Sequence, residues 1–155
     1  MDVVSMEVEI TSSLSPSKLF NVFSDFDTIA PKVIPQVYKS IALIQGDGGV
    51  GSIKSVTFHD GATWKLKIDS IDTSEYLFSY TLFESDDLSG IMDTATHHIK
   101  FIPSTNGGSV YKHTTLVKCK GDAKLTDDFI NLCKEALKNS FNALESYAID
   151  HPNAY

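Results

Sequence analysis

Cysteine is scarce: the 155 residues hold two, Cys119 and Cys133. Two thiols build neither a disulfide framework nor a four-cysteine zinc site. They read as reduced thiols of a cytoplasmic protein. No apolar run approaches the roughly 18 residues of a membrane span. Met1–Ile10 carries Asp2, Glu7 and Glu9 and lacks the apolar centre of a secretory signal. Positive charge is short as well. Thirteen basic residues against 20 acidic ones leave a net charge of −7. Phosphate backbones repel such a chain, which excludes DNA as a partner and leaves RNA at most a weak or local contact. Internal repeats, low-complexity segments and linkers are missing too. What is present is ordinary globular composition, 42% hydrophobic and 21% charged, over a length that suits one domain, residues 1–155.

Val4–Ile10 alternates apolar and polar residues and predicts a strand with one buried face. Ser15 followed by Pro16 predicts a helix start, with Leu19, Phe20, Val22 and Phe23 on its apolar side. Pro31 and Pro35 are expected to break the next stretch into short helical pieces. Strands are expected over Ser40–Ile44, Ser52–Phe58, around Trp64 to Ile68, around Tyr76 to Leu82, over Ile91–Ile102 and over Ser109–Lys118. Asp60-Gly61 and Asn106-Gly107 supply turns. Thr126 is a helix cap, Asp127 and Asp128 suit the positive end, and the helix reaches about Ile149. The order predicts an α+β fold, an antiparallel sheet with a long helix laid on it.

If the alternation holds, one sheet face carries Trp64, Leu66, Phe78, Tyr80, Ile91 and Ile99, with Phe101 and Tyr111. Asp93, His97, His113 and Thr115 share that register. A packed core rarely mixes two histidines and an aspartate with aromatics, whereas a cavity with a few polar anchors does. The competing reading turns these groups outward at strand ends or at a bulge. From the long helix, Phe129, Leu132 and Ala136 are expected to complete the lining. His97 and His113 fall one or two rungs apart on neighbouring strands. They are open to three readings: anchors for a ligand hydroxyl or carboxylate, half-exposed histidines, or an acid–base or metal site with Asp93. No ligand spacing supports the metal, so no metal or cofactor is expected. His98 should face the other way.

Gly46-Asp-Gly-Gly-Val-Gly-Ser-Ile53 closely resembles the glycine-rich loop of plant pathogenesis-related class 10 proteins, the birch-pollen-allergen family. Ala30–Gln36, Tyr80–Glu84, Gly107–Thr115, Lys120–Asp122 and Ala143–Tyr147 resemble other segments of that family, in order and over essentially the whole chain. The resemblance implies a helix-grip fold of the START-like superfamily: a seven-stranded antiparallel sheet wrapped around a long C-terminal helix, with two short helices enclosing a hydrophobic cavity. It also implies a cytoplasmic carrier or store, in plant defence or stress, for a small metabolite or hormone of flavonoid, cytokinin, sterol or alkaloid type; the acidic balance and the lack of an obvious exposed apolar face add the expectation of a monomer. The gate and latch motifs of the related abscisic-acid receptors are not seen.

Two enzymatic alternatives follow from the same resemblance. Residues proposed for ribonuclease activity in some members match Lys54, Glu145 and Tyr147, with Asp93 as a further acid. A cation, a base and an acid are what RNA cleavage needs, although Lys54 and Glu145 also fit a surface ion pair. In norcoclaurine synthase and related alkaloid enzymes, the catalytic lysine matches Lys112 and the acid Asp93, while the tyrosine falls near Ile91 and is unfilled. On the strand register, Lys112 faces outward. The loop Gly46, Asp47, Gly48, Gly49, Val50, Gly51 lacks the Gly-Lys-Ser/Thr ending of a phosphate loop, and a strand rather than a helix follows it. It reads as a rigid turn built on positive-φ glycines.

Overall fold

Strands with one apolar face need a partner layer, and helices supply it here. The computed structural model describes residues 3–86 and 90–155. The elements are β1 (Val3–Ser12), α1 (Pro16–Ser24), α2 (Phe26–Val33), β2 (Tyr38–Gln45), β3 (Ile53–Phe58), β4 (Thr63–Asp72), β5 (Leu77–Ser85), β6 (Met92–Pro103), β7 (Ser109–Cys119) and α3 (Asp127–Asp150). The strands form one antiparallel sheet in the order β1-β7-β6-β5-β4-β3-β2. Only β1 joins across the sheet, pairing with β7 while β2 to β7 follow one another.

Local chemistry places the helix ends where the sequence puts them. Ser15 Oγ accepts from the Lys18 amide at 3.3 Å and Pro16 takes the first turn of α1. Thr126 Oγ1 accepts from the Phe129 amide at 3.1 Å and starts α3. Pro31 departs from expectation: it lies inside α2 and does not divide it. The helix ends two residues later, so the ring removes only the bond to the Asp27 carbonyl in the first turn.

Two apolar clusters hold α3 to the sheet. The larger joins Val8, Ile99, Phe101 and Tyr111 to Leu19 and Phe23 of α1 and to Phe141, Leu144 and Ala148 of α3. The smaller gathers Met6, Leu82, Met92, Ala95, Val117 and Cys119, with Ile130 and Cys133 packed on it. Both ends of the helix are therefore seated, while Leu137 and Ser140 in its middle face open space.

Cross-strand register explains which side chains share that space. Phe78 pairs with Ile99 and Ile99 with His113, while Tyr80 pairs with His97 and His97 with Thr115. These two rungs are neighbours on one face, so His97 and His113 meet on the diagonal. Among the described residues no helix is long and apolar enough to cross a membrane.

Candidate functional site

Beside the larger cluster lies a cavity of about 300 Å³. Its sheet wall includes Leu66, Ile68, Phe78, Tyr80, Ile99 and Tyr111, with His113 among them. The helices contribute Phe20 and Phe23 of α1, Phe26 and Asp27 of α2, and Leu137 and Ser140 of α3. A predominantly apolar space with a few polar groups is the usual form of a small-molecule site.

The polar groups are organised. Tyr111 Oη lies 2.5 Å from His113 Nδ1, and His113 Nε2 lies 2.8 Å from His97 Nδ1. Thr115 Oγ1 is 3.3 Å from the same His97 nitrogen. The Tyr80 ring stacks on the His97 ring at 4.7 Å and 13°. Tyr38 and Ser140 share a hydrogen bond across the space. Burial dominates the electrostatics, because a low dielectric penalises the charged form. It pushes the His97 imidazole down to about 4, with the nearby His98 adding to the effect, and holds His113 well below the usual range. It raises the Tyr38, Tyr80 and Tyr111 phenols. At neutral pH these groups are therefore uncharged donors and acceptors.

Among the described residues, one charged pair stands on the wall, at its rim. Lys54 Nζ of β3 contacts Asp27 Oδ2 of α2 at 2.6 Å. The glycine loop adjoins this rim through Gly48. Three of its amides are already committed: Gly48 donates to Ser52 Oγ, Gly49 to Asp47 Oδ1 and Gly51 to the Ile68 carbonyl. Gly46 has φ of +91°, and a Cβ there would lie 2.5 Å from Ser52 Oγ. The loop is a turn folded onto Ser52, with no row of amides left aimed at an anion.

The expected lining is corrected at several positions. Leu66, Phe78, Tyr80, Ile99, Tyr111 and His113 stand on the wall, but Trp64, Ile91, Asp93, His97, Thr115, Phe129, Leu132 and Ala136 do not. His97 and Thr115 sit behind it, in contact with His113 or with each other. Trp64 is one rung beyond, edge-on to Phe58 at 4.6 Å and packed on the smaller cluster. A register shift between Met92 and Thr94 leaves Asp93 as the extra residue of a bulge. Asp93 lines a separate recess with Glu84 and Lys120, and exposed Ile91 precedes the strand. On α3 the inward stripe runs Ile130, Cys133, Leu137, Phe141, Leu144, Ala148, so Leu132 at 67% exposure and exposed Ala136 are on another side.

Several of the groups expected for enzymatic chemistry have partners of their own. Lys54 is held by Asp27, while Tyr147 lies under Lys32 and stacks on His151. Lys112 faces away from the cavity with Glu7 at 3.8 Å, and His98 is exposed. Among the described residues no group of three or more His, Cys, Asp and Glu side chains is placed for a metal ion. Several wall residues were missed by strand periodicity, because they come from helices and from the far strands. Phe20, Phe23 and Ser24 share one face of α1 by their spacing of three and four, which is a helix-face signal, while Asp27 comes from α2.

Comparison with known proteins agrees with this architecture. The family model described as Pathogenesis-related protein Bet v 1 family matches residues 1–147. A root allergen protein of Taraxacum officinale is 59% identical over 152 residues, covering 96% of this chain and 97% of that protein. Major allergen Pru av 1 of Prunus avium is 38% identical over 159 aligned positions, covering 100% and 99%. Among solved structures, Ara h 8.0201 superposes with a TM-score of 0.88 at 32% identity, covering 96% and 99%. Norcoclaurine synthase from Thalictrum flavum in complex with dopamine and hydroxybenzaldehyde gives 0.76 at 20% identity, covering 97% and 88%, a likeness of fold.

Proposed function

The chain belongs to the Bet v 1 family of pathogenesis-related proteins, and from that premise we propose that it binds and carries a small amphipathic plant metabolite inside the cavity. The observation that carries this reading is the wall itself: aromatic and aliphatic side chains around about 300 Å³, with hydroxyl and imidazole groups at one side. That volume stands at the lower end of the roughly 300–1,000 Å³ of ligand pockets. It suits a molecule of a few fused or linked rings. Each square ångström of apolar ligand surface buried there contributes about 25 cal/mol, offset in part by lost translation and rotation.

The flavonoid, cytokinin, sterol and alkaloid types all remain within the proposal, as does a cytoplasmic monomer acting in a defence setting. The organisms of the similar allergens, dandelion and cherry, support a plant ligand. Native mass spectrometry after incubation with a plant metabolite extract tests the carrier reading. The expected result is a one-to-one adduct released at unchanged small-molecule mass. Release of a chemically altered compound with turnover would replace the carrier reading by an enzymatic one, and absence of any adduct would remove both.

A further inference from the structure

The cavity's polar side is a chain of groups that each donate and accept. Tyr111 Oη, His113 Nδ1, His113 Nε2 and His97 Nδ1 follow one another at 2.5 Å, through the ring and at 2.8 Å. Tyr111 and His113 stand on the wall and His97 stands behind them. Two proton arrangements satisfy both bonds. In one, Tyr111 O–H donates to His113 Nδ1 and His113 Nε2–H donates to His97 Nδ1. The tyrosine oxygen then offers lone pairs to a ligand. In the other, His97 Nδ1–H donates to His113 Nε2 and His113 Nδ1–H donates to the tyrosine oxygen. The phenol O–H is then free to donate. Each imidazole carries one proton in both arrangements, so the total is unchanged. Thr115 Oγ1, at 3.3 Å, shares the same His97 nitrogen as the longer arm of a bifurcated bond, its lone pair in the first arrangement and its N–H in the second.

We propose that Tyr111, His113 and His97 form an uncharged, direction-reversible hydrogen-bond chain, by which the cavity selects uncharged ligands carrying a hydroxyl or a carbonyl and excludes carboxylates. The inference rests on the cavity being a ligand site, as proposed above. Exclusion follows from charge. The only cation on the described wall, Lys54, is taken by Asp27 at 2.6 Å. The other titratable groups facing the chain are Tyr38 of β2 and Tyr80 of β5, both phenols, with His98 on the opposite face of β6. Ser140 of α3 is uncharged. A buried carboxylate finds no free positive partner and must enter with a proton, placed on itself or on an imidazole whose burial resists it.

Equilibrium dialysis with four two-ring probes tests this: 2-methylnaphthalene, 2-naphthol, 2-acetylnaphthalene and 2-naphthoate. Both 2-naphthol and 2-acetylnaphthalene are expected to bind about tenfold more tightly than 2-methylnaphthalene, the worth of one well-made hydrogen bond. Their affinities stay flat from pH 6 to 8. Naphthoate binds more weakly than either at pH 8 and gains up to about tenfold per pH unit as pH falls, the slope of one proton taken up. In Tyr111→Phe both tenfold gains vanish. The wild-type series decides the matter even if that variant fails to fold. Gain by only one of the two neutral probes would overturn reversibility. Naphthoate binding as tight as naphthol, or flat with pH, would overturn the exclusion. If 2-methylnaphthalene binds and no polar probe binds better, this inference falls alone. If 2-methylnaphthalene does not bind, the cavity reading falls and takes this one with it.

Discussion

Two imidazoles among aromatics, His113 buried and His97 half-buried, tie stability to pH in a definite direction. His97 is pushed down to about 4 and His113 well below its ordinary value, in both cases chiefly by burial. Above the unfolded value of about 6.5, neither the folded nor the unfolded chain binds a proton there. Below it, the unfolded chain takes up protons that the folded one refuses, so stability falls as pH drops from about 6.5 toward 4. His97 alone accounts for about 2 kcal/mol of that loss by pH 5, taking about 1.4 kcal/mol per unit of difference. Urea titrations at pH 7 and pH 5 check this. The wild-type midpoint should fall, and the fall should be visibly shallower in His97→Gln. Equal falls would show that His97 is not held neutral. Strand alternation placed both histidines on the correct face, because period-two patterning is a purely local signal. Their mutual hydrogen bond was legible only as a distance of one or two rungs. The register that sets the diagonal, His97 opposite Thr115 and Ile99 opposite His113, depends on the whole hairpin.

At the scale of elements, α3 illustrates how far periodicity goes. Its start was readable from Thr126 and its end to within a residue, since caps and helix formers act locally. The expected lining residues of this helix, Phe129, Leu132 and Ala136, are not the ones that meet the cavity. Leu132 is apolar, yet it falls about a quarter turn from Cys133 and ends 67% exposed. The sequence alone cannot tell which edge of a broad apolar side meets the sheet, because that depends on where α1 and the strands come to rest. Phe141 is on the true seam, fully buried and stacked on Tyr111 at 4.6 Å. Phe141→Ala should therefore cost about 3–5 kcal/mol, against less than about 0.5 kcal/mol for Leu132→Ala. Chemical denaturation of the two variants separates the faces. A large loss at Leu132 would mean that this side of the helix is covered in solution. The bulge at Asp93 carries the same lesson for strands. One extra residue between Met92 and Thr94 takes Asp93 out of the inward register and into a different recess, and no local signal in Ile91–Ala95 announces it.

For the molecule as a whole, the cavity is a reserve of unrealised stability. Packing at interior density would fill about 300 Å³ that the chain leaves open. Two seated ends of α3 make the gap tolerable, since Ile130 and Cys133 at one end and Phe141, Leu144 and Ala148 at the other anchor the helix. The gap can be closed either by a ligand or by mutation, and the two should compete. A ligand at about 100 times its dissociation constant adds about 2.7 kcal/mol by mass action. For a domain of this length that raises the melting temperature by roughly 5–11 °C. Leu66 is on the wall opposite Lys54 in the β3–β4 pairing, so a larger ring there projects into the void instead of into packed atoms. Leu66→Trp should raise the ligand-free melting temperature, in the range of about 0.5–2 kcal/mol typical of cavity filling. It should also abolish most of the ligand-dependent rise. Thermal melts of both proteins, with and without a neutral two-ring ligand such as 2-naphthol, read the two effects together. A variant that is stabilised and still shows the full ligand shift would place the binding site elsewhere. A variant that is destabilised would show that the space near Leu66 closes in solution.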